Sequence, residues 1–572
     1  MLKKVSIRNI FSQPISYILL FCTILFSTGI LWGLPNVETW QSDSFAPFHP
    51  LIGLSQGFSF GYFNKYPLVH QLLLAILNLP VLIASIIRSN PLEGFQIFKF
   101  LVVIRSAEYA TALILIDRIV SVIMGVLTVY FIYLCALELF NKRTGIYTAL
   151  IVSFNAVLNH YAHVAKPEVP YLFWAVIALY MLIRVVKYDR RGDYIRCALF
   201  TCFCFGTKDQ GYAIFVLPFI LYLVIYQVIY RAPGTVPIRI IFRKNLLLFL
   251  ALFLVCTVVV QNIFLNYEGF LLRLSHLTGE GGQRSISYTL GPAGVFALFR
   301  DTCARMIHDT QGLPLFLINS AGMILFIIMY RKDRKKLFLN SIMIFASLSY
   351  YIFFVQLIRQ SNVRFSLPQS VFLSVYGGYL LALLHGLAEG RWKIAFAGVL
   401  VLISVYSLSI TLPVNANMMC DTRYRAEEWM NKNIPEGAVI EYYSYLHYLP
   451  RFPAGTNPYR IRKNVLGIEK RKPDYIVLTS HYYPRFLVKT KTGSGKIQNT
   501  RNIRNTKSEF AEFLPGLISG RLGYSLVNRT EHNIPFFRRV RFTRISPSHI
   551  LVFKRNSAPV KSGQGSTRGG SM

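Results

Sequence analysis

Apolar stretches long enough to cross a bilayer alternate with short polar segments along most of the first 412 residues. Only helices and closed barrels satisfy every backbone polar group inside lipid, and these stretches are too long for barrel strands. The pattern therefore predicts a mainly α, polytopic membrane protein with about 11 transmembrane helices. We place these spans near residues 14–36, 113–138, 145–163, 169–186, 194–207, 210–230, 245–265, 313–330, 337–357, 366–386 and 393–412.

One part of the pattern is ambiguous. Residues 67–87 and 94–110 are apolar but contain His70, Lys99, Arg105 and Glu108. They are either two further spans, which would raise the total to about 13, or helices that lie along the membrane interface. We favour interfacial or partly re-entrant helices.

Basic residues define the two sides of the membrane. Six alternate loops contain Lys3, Lys4 and Arg8; Lys142 and Arg143; Arg184, Lys187, Arg190 and Arg191; Arg231, Arg239, Arg243 and Lys244; Arg331, Lys332, Arg334, Lys335 and Lys336; and Arg391 and Lys393. The positive-inside rule makes this side cytoplasmic, with the N-terminus inside and the C-terminal segment outside. The localisation predicted is thus a multi-pass protein of an inner or plasma membrane. Because much of the net charge of +35 lies beside helices, it does not indicate nucleic-acid binding.

The same pattern divides the chain into domains. Residues 1–412 form the predicted membrane domain, whose large external loops lie near 37–110 and 266–312. Short apolar runs begin at Ala438, Tyr475, Tyr524 and Ile550 and follow a helical pattern, which predicts an extracytoplasmic α/β domain over 413–556. The composition of residues 557–572 is typical of a disordered tail.

The few charged residues of the external loops are the candidates for chemistry. Asp43 follows the first span, where a carboxylate can act as a general base or hold a cation, or can equally serve as a helix N-cap. Lys65 closes the first loop; it could bind a phosphate, although a lysine that snorkels at the interface is the simpler interpretation.

Three later segments offer further candidates. Lys208 is either a phosphate-binding cation or a neutralising partner for the adjacent Asp209. Arg364 lies at the external end of a span, where arginine suits bidentate phosphate recognition and a lipid headgroup is the alternative partner. His163 and Glu168 belong to a dense polar segment that permits a divalent metal site, but we favour the simpler interpretation, a polar external hairpin between two spans.

Several of these segments together resemble a known family, the polytopic GT-C glycosyltransferases that use lipid-phosphate-linked sugars. This class includes the protein O-mannosyltransferases (glycosyltransferase family 39) and the aminoarabinose transferases. The resemblance depends on Asp43 and on Asn64-Lys65-Tyr66-Pro67-Leu68, Asp117-Arg118-Ile119-Val120-Ser121, Lys166-Pro167-Glu168-Val169-Pro170, Gly206-Thr207-Lys208, Arg364-Phe365-Ser366-Leu367-Pro368 and Arg425-Ala426-Glu427-Glu428-Trp429. The order of these short motifs and their common side of the membrane make the set fairly specific.

The resemblance implies transfer of a sugar from a polyprenyl- or dolichyl-phosphate donor to a glycan, lipid or protein acceptor at the external face, with inversion. Asp43 would be the catalytic carboxylate, and Lys65, Lys208 and Arg364 would bind the donor phosphate. Glu168, His163 and Asp209 would be further polar partners. The resemblance implies no certain cofactor, and a divalent metal is possible. Because Asn64 stands where some metal-using relatives have Glu, His163 and Glu168 are only a fallback metal site. The alternative function is a flippase for lipid-linked sugars or a non-catalytic protein of glycan assembly.

Overall fold

The computed structural model describes residues 13–36, 39–41, 66–89, 103–104, 106–231, 243–278, 286–461, 465–483, 504–534, 540 and 545–556. Asp43, Lys65 and the predicted tail at 557–572 lie outside these ranges. The described residues up to Met419, together with Val540, form one compact unit, and the others from Cys420 onward form a second unit.

The first unit is almost entirely helical. Its helices are α1 (Pro14–Ser27), α2 (Val69–Leu77), α3 (Leu79–Ser89), α4 (Ala107–Leu139), α5 (Lys142–Ser153), α6 (Ala156–Ala162), α7 (Glu168–Tyr188), α8 (Arg191–Phe205), α9 (Val216–Tyr230), α10 (Lys244–Val260), α11 (Tyr267–Thr278), α12 (Pro292–Arg305), α13 (Gly312–Tyr330), α14 (Arg334–Asn340), α15 (Ile342–Gln356), α16 (Leu367–Leu387) and α17 (Arg391–Met419). Short 3-10 turns at Asp209–Ile214 and Val363–Phe365 precede α9 and α16.

Within the described residues, five helices are long and apolar enough to cross a membrane, and up to seven if each of two bent helix pairs is one span. Helices α1, α9 and α10 are apolar but shorter. This agrees with a mainly α, polytopic protein, and the count of about 11 spans stays a prediction. The last helix of the unit, α17, runs on to Met419 rather than ending near 412.

Two breaks occur where the apolar pattern is continuous. The span predicted at 145–163 is divided into α5 and α6 at Asn155, whose side chain accepts hydrogen bonds from the backbone N–H groups of Val157 and Leu158. An asparagine cap of this kind starts a new helix inside an apolar segment. In the ambiguous segment, α2 and α3 meet at an angle of 54° beside Asn78, a geometry typical of a broken span or a re-entrant loop.

Helix α7 is the most deeply buried candidate span of this unit. The first turn of the helix begins at Glu168, and α7 packs against α4 and α8 along its length. Its apolar side chains point in all directions, as expected for a helix surrounded by other helices. The carboxylate of Glu168 is therefore placed in the interior of the unit, at one end of a buried helix.

The second unit contains a small five-stranded sheet. It comprises α18 (Thr422–Asn433), β1 (Val439–Tyr442), β2 (Asn457–Arg460), α19 (Ile468–Arg471), β3 (Tyr475–Thr479), α20 (Arg504–Ile518), β4 (Tyr524–Glu531) and β5 (His549–Arg555). The strand order is β2-β1-β3-β5-β4. Strands β1, β2 and β3 are parallel to one another, and β5 is antiparallel to both of its neighbours, β3 and β4. The predicted mixture of helix and strand, with β1, β3, β4 and β5 at the apolar runs, is confirmed.

Candidate active site

The centre of the candidate site is the carboxylate of Glu168, which is 1% exposed. It lies in the first turn of α7, where the unpaired N–H groups of the helix favour a negative charge. Pro167 immediately precedes the helix, and Pro170 follows in the first turn, where a missing N–H costs nothing. The local sequence therefore explains why this acidic side chain begins a buried helix.

Two cations from distant segments meet at one oxygen of this carboxylate. Lys208 Nζ lies 2.8 Å from Glu168 Oε1, and Arg364 Nη1 lies 3.4 Å from the same atom. Lys208 belongs to the turn after α8, while Arg364 lies in the 3-10 turn that Asn362 caps before α16. The structure therefore brings together three residues that the sequence identified as site candidates.

The second oxygen of Glu168, Oε2, is buried and has no hydrogen-bond partner in the described part of the chain. Buried polar atoms are normally satisfied, so such an atom marks a place where a ligand group or water could donate. The triad of Glu168, Lys208 and Arg364 thus has one occupied carboxylate oxygen and one that is open to a donor.

A second ion pair involves Asp209, the residue that follows Lys208 in the sequence. Asp209 Oδ1 is 3.5 Å from Arg273 Nε, and Arg273 Nη2 also donates to the carbonyl oxygen of Gln261 at 2.6 Å. Burial raises the pKa of Asp209 to about 6, although Arg273 acts in the opposite direction. Sequence analysis missed Arg273; the available signal was a lone arginine within the apolar pattern of α11.

Asp209 also lines a cavity of about 390 Å³. The other lining residues are Phe205, Tyr212, Thr257, Gln261, Phe270 and Leu274. Most of this wall is apolar, and its polar residues are Asp209, Gln261, Thr257 and Tyr212. Such a cavity suits a ligand with a long hydrocarbon part and few polar groups.

Tyrosine and glutamine side chains surround the triad, and none of them was predicted. Lys208 Nζ lies 5.5 Å from the centre of the Tyr171 ring, a favourable distance for a cation over an aromatic face. The hydroxyl of Tyr350 accepts a hydrogen bond of 2.9 Å from Gln210 Nε2. Lys208 is therefore placed between the carboxylate of Glu168 and the ring of Tyr171.

Close backbone contact places the segment after Lys65 beside the Lys208 turn. The N–H of Val69 donates to the carbonyl oxygen of Gly206 at 2.8 Å, and that of Leu68 donates to Val260 at 3.3 Å. A Cβ on Gly206 would lie 2.7 Å from atoms of Cys202, Val260 and Val69, so only glycine fits. Lys65 itself lies outside the described residues, and its role stays a prediction.

The segment that leads to Asp43 is fixed by an arginine of α4. Arg118 Nη1 donates to the carbonyl oxygens of Ile30 at 2.5 Å and Trp32 at 2.8 Å. The Trp32 ring packs edge-on against that of Trp40, with 6.2 Å between centroids. The sequence places Arg118 in one of the family-like motifs but assigns it no role. Asp43 lies outside the described residues, so whether it joins the site stays a prediction.

The residues considered for a metal are occupied by other groups. The ring nitrogens Nδ1 and Nε2 of His163 are each 2.6 Å from a backbone carbonyl oxygen, of Asn159 and Thr28 respectively. Glu168 contacts two cations instead. Within the described ranges, no three His, Cys, Asp or Glu side chains are grouped as metal ligands would be. A divalent metal at His163 and Glu168 therefore stays a prediction, and it would have to displace the present contacts of His163.

Comparison with known proteins supports the family resemblance. Residues 115–261, about a quarter of the chain, match the family model of dolichyl-phosphate-mannose-protein mannosyltransferase. This segment includes Glu168, Lys208 and Asp209, and the match confirms the resemblance to GT-C glycosyltransferases. No curated protein sequence matches the chain.

Among solved structures, the Archaeoglobus fulgidus oligosaccharyltransferase in its apo form is similar with a TM-score of 0.49 and 13% identity, over 95% of this chain and 89% of that chain. ArnT from Cupriavidus metallidurans in the apo state gives 0.46 and 13%, over 82% of this chain and 94% of that chain. ArnT bound to undecaprenyl phosphate gives 0.45 and 12%, over 85% and 98%. These values describe a distant likeness.

Proposed function

We propose that this protein is a membrane glycosyltransferase. It transfers a sugar from a polyprenyl- or dolichyl-phosphate-linked donor to a glycan, lipid or protein acceptor at the extracytoplasmic face, with inversion at the anomeric carbon. The observation that carries the proposal is the convergence of Lys208 and Arg364 on a single oxygen of buried Glu168. The family match over residues 115–261 supports the same reaction class.

The two cations suit a phosphate leaving group. Two positive charges meet one carboxylate, so the triad carries a net charge of +1, and the nearby Lys166 adds a further positive charge. When the bond from sugar to phosphate breaks, negative charge develops on the phosphate oxygens, and cations that are already in place stabilise it without reorganisation. Arg364 can bind two phosphate oxygens at once, whereas Lys208 acts as a point charge.

The acceptor needs a group that aligns or deprotonates its hydroxyl. Asp43 is our candidate for this role, as in the family resemblance. Glu168 is poorly suited to be the base because its Oε1 is already taken up by Lys208 and Arg364. Its open Oε2 can instead accept a hydrogen bond from a hydroxyl and so orient a bound sugar or acceptor.

The apolar cavity lined by Asp209, the residue that follows Lys208 in the sequence, offers space for the hydrocarbon part of the donor. A prenyl chain contributes little but apolar surface, which such a wall would remove from water. The assignment to the extracytoplasmic face depends on the six basic loops of the sequence and on the positive-inside rule.

The test uses the full chain in liposomes that contain undecaprenyl- or dolichyl-phosphate-linked hexoses. Release of prenyl phosphate and formation of a new glycosidic bond are measured for the wild type, Lys208→Met and Arg364→Gln. We expect each substitution to lower turnover by about 10²-fold or more, because each removes a charge that stabilises the transition state. The control is Arg300→Gln, whose arginine is exposed and paired with its neighbour Asp301.

Two outcomes would contradict the proposal. If Lys208→Met and Arg364→Gln both turn over as fast as Arg300→Gln, Lys208 and Arg364 do not bind the donor phosphate. Movement of the lipid-linked sugar across the bilayer without any new glycosidic bond would favour the flippase. Asp43→Asn tests the acceptor base separately, since unchanged product formation would exclude catalysis through Asp43.

A further inference from the structure

The order of the parallel strands indicates where a ligand would bind in the second unit. Strand β1 lies between β2 and β3, so the chain leaves β1 towards one side of the sheet and later returns to its other side. In open α/β sheets, ligands bind outside the carboxyl ends of the strands at the point where the connections diverge. Here that point is the segment that follows Tyr442.

This segment presents aromatic and imidazole rings. Tyr445 and His447 are stacked with 5.4 Å between ring centroids, and His447 meets Tyr448 edge-on at 4.1 Å. Tyr445 is 49% exposed, so much of its ring is accessible to a ligand. The rings therefore form a surface feature and are not part of the two apolar clusters that build the core of this unit.

The neighbouring strand ends contribute polar groups to the same surface. Arg460, the last residue of β2, places its guanidinium carbon 4.0 Å from the centre of the Tyr445 ring. His481, which follows β3, lies with its ring 5.8 Å from that of Tyr448. We call Tyr445, His447, Tyr448, Arg460 and His481 the aromatic platform; its members come from the carboxyl ends of all three parallel strands.

The composition of the platform matches a sugar better than the other ligands of such sites. Arg460 covers one face of the Tyr445 ring, so a sugar would pack its apolar C–H face on the aromatic surface that stays exposed, while its hydroxyls bond to guanidinium and imidazole nitrogens. A nucleotide phosphate would need backbone N–H groups in a glycine-rich turn, but residues 443–448 contain no glycine. Tyrosine and histidine offer both an apolar face and a polar edge at little cost in side-chain entropy.

We propose that the aromatic platform binds a carbohydrate, and that this carbohydrate is part of the acceptor. The second statement rests on the proposed glycosyltransferase function; the binding itself does not. The platform would hold glycan outside the membrane unit, which favours a saccharide over a bare protein hydroxyl as the acceptor class.

The test measures binding by saturation-transfer NMR with the full chain in lipid nanodiscs, because common detergents carry sugar headgroups of their own. The probes are mannotetraose, cellotetraose and the tetrasaccharide of N-acetylglucosamine, each without donor. We expect at least one to bind, and Tyr445→Ala to weaken that binding by about tenfold. Tyr445→Phe keeps the ring and should stay within about threefold of the wild type.

Leu526→Ala is the matched control, since Leu526 is 45% exposed but lies on β4 at the other edge of the sheet. Absence of binding by all three probes would overturn the inference, as would equal affinities of Tyr445→Ala and Leu526→Ala. Transfer of saturation to a Ser/Thr-rich peptide but to no oligosaccharide would overturn it in favour of a peptide site. Lys208→Met should leave oligosaccharide binding unchanged, so failure of transfer and failure of the platform are distinguishable.

Discussion

Lys208 Nζ lies 2.8 Å from Glu168 Oε1, and both side chains are almost fully buried. Removing two charges from water is expensive, so a buried pair of this kind is weak evidence for stability. It is better evidence for function, because the surrounding helices hold a lysine and a carboxylate in place at the end of α7. Arg364 supports the same interpretation, because its guanidinium is a second cation beside Glu168 Oε1.

The first prediction concerns the stability of this triad. Glu168→Gln leaves Lys208 buried without its nearest counter-charge, and breaking a buried ion pair typically costs about 3–5 kcal/mol of unfolding free energy. We expect a lower unfolding temperature than that of Glu389→Gln, whose glutamate is exposed. The double variant Glu168→Gln/Lys208→Met should recover part of the loss. Equal unfolding temperatures of Glu168→Gln and Glu389→Gln would contradict a structural ion pair.

The sequence predicted the members of this site but not their contacts. In the sequence, Lys208 and Arg364 are distinguished as cations of predicted external loops, and Glu168 is distinguished as a carboxylate in a polar turn. The two contacts join positions that are 40 and 196 residues apart, and they depend on how α7, α8 and α16 pack. Hydrophobic periodicity assigns residues to elements, but it does not determine which loop ends meet.

Two elements of the fold also could not be predicted from the hydrophobic pattern. The break at Asn155 lies inside a continuous apolar run, where only the capping side chain reveals a new helix. Strand β2 contains Asn457 and Pro458 and is half exposed, so it lacks the apolar alternation of a typical strand. It forms the edge of the sheet, where a proline is tolerated because no further strand needs its N–H.

The second prediction concerns Gly206. Gly206→Ala places a methyl group 2.7 Å from the Cys202 carbonyl oxygen and from the branched side chains of Val260 and Val69. None of these atoms belongs to a flexible side-chain end, so overpacking of about 1–3 kcal/mol is expected. We also expect reduced transfer, because the turn that contains Lys208 would shift. Unfolding temperature and turnover are the measurements.

Gly398→Ala provides the control for this substitution, since Gly398 lies inside α17 and no atom of the described residues would lie within 4 Å of the added methyl group. Alanine in a helix interior is neutral or slightly stabilising there. A Gly206→Ala protein as stable and as active as Gly398→Ala would show that the close approach of Val69 to the Lys208 turn is not required.

The third prediction concerns the pH dependence of stability through Asp209. Burial raises the pKa of its carboxyl from 3.8 to about 6. Between these values the folded chain binds more protons than the unfolded chain, so the contribution of Asp209 is fully present below pH 4 and is lost as the pH rises through 6. Relative to Asp209→Asn, we expect the wild type to lose about 1–3 kcal/mol between pH 4 and pH 7.

The measurement is the difference in unfolding temperature between the wild type and Asp209→Asn at each pH. Taking the difference cancels the titration of groups that both proteins share. A difference that stays constant from pH 4 to pH 7, or that changes in favour of the wild type as the pH rises, would show that Asp209 titrates in its ordinary range.

The last prediction concerns Glu441, the buried carboxylate on β1 of the second unit. It accepts hydrogen bonds of 2.7 and 2.8 Å from Nε and Nη2 of Arg471 and one of 2.7 Å from the hydroxyl of Tyr459. Tyr443 also contacts it, and burial, followed by the charge of Glu441, raises the pKa of the Tyr443 hydroxyl. Every partner of this carboxylate is a donor that its negative charge strengthens.

Glu441→Gln replaces one acceptor oxygen with an NH₂ group that faces donors, and it leaves Arg471 without its counter-charge. We expect the second unit to lose about 3–5 kcal/mol of unfolding free energy. The matched substitution Glu428→Gln removes an exposed carboxylate paired with Lys432 at i,i+4 and should leave the unfolding free energy of this unit almost unchanged. Limited proteolysis of the full chain after α17, followed over increasing urea, reports on this unit separately. If both variants resist cleavage to the same urea concentration, the Glu441 network contributes no more than a surface pair.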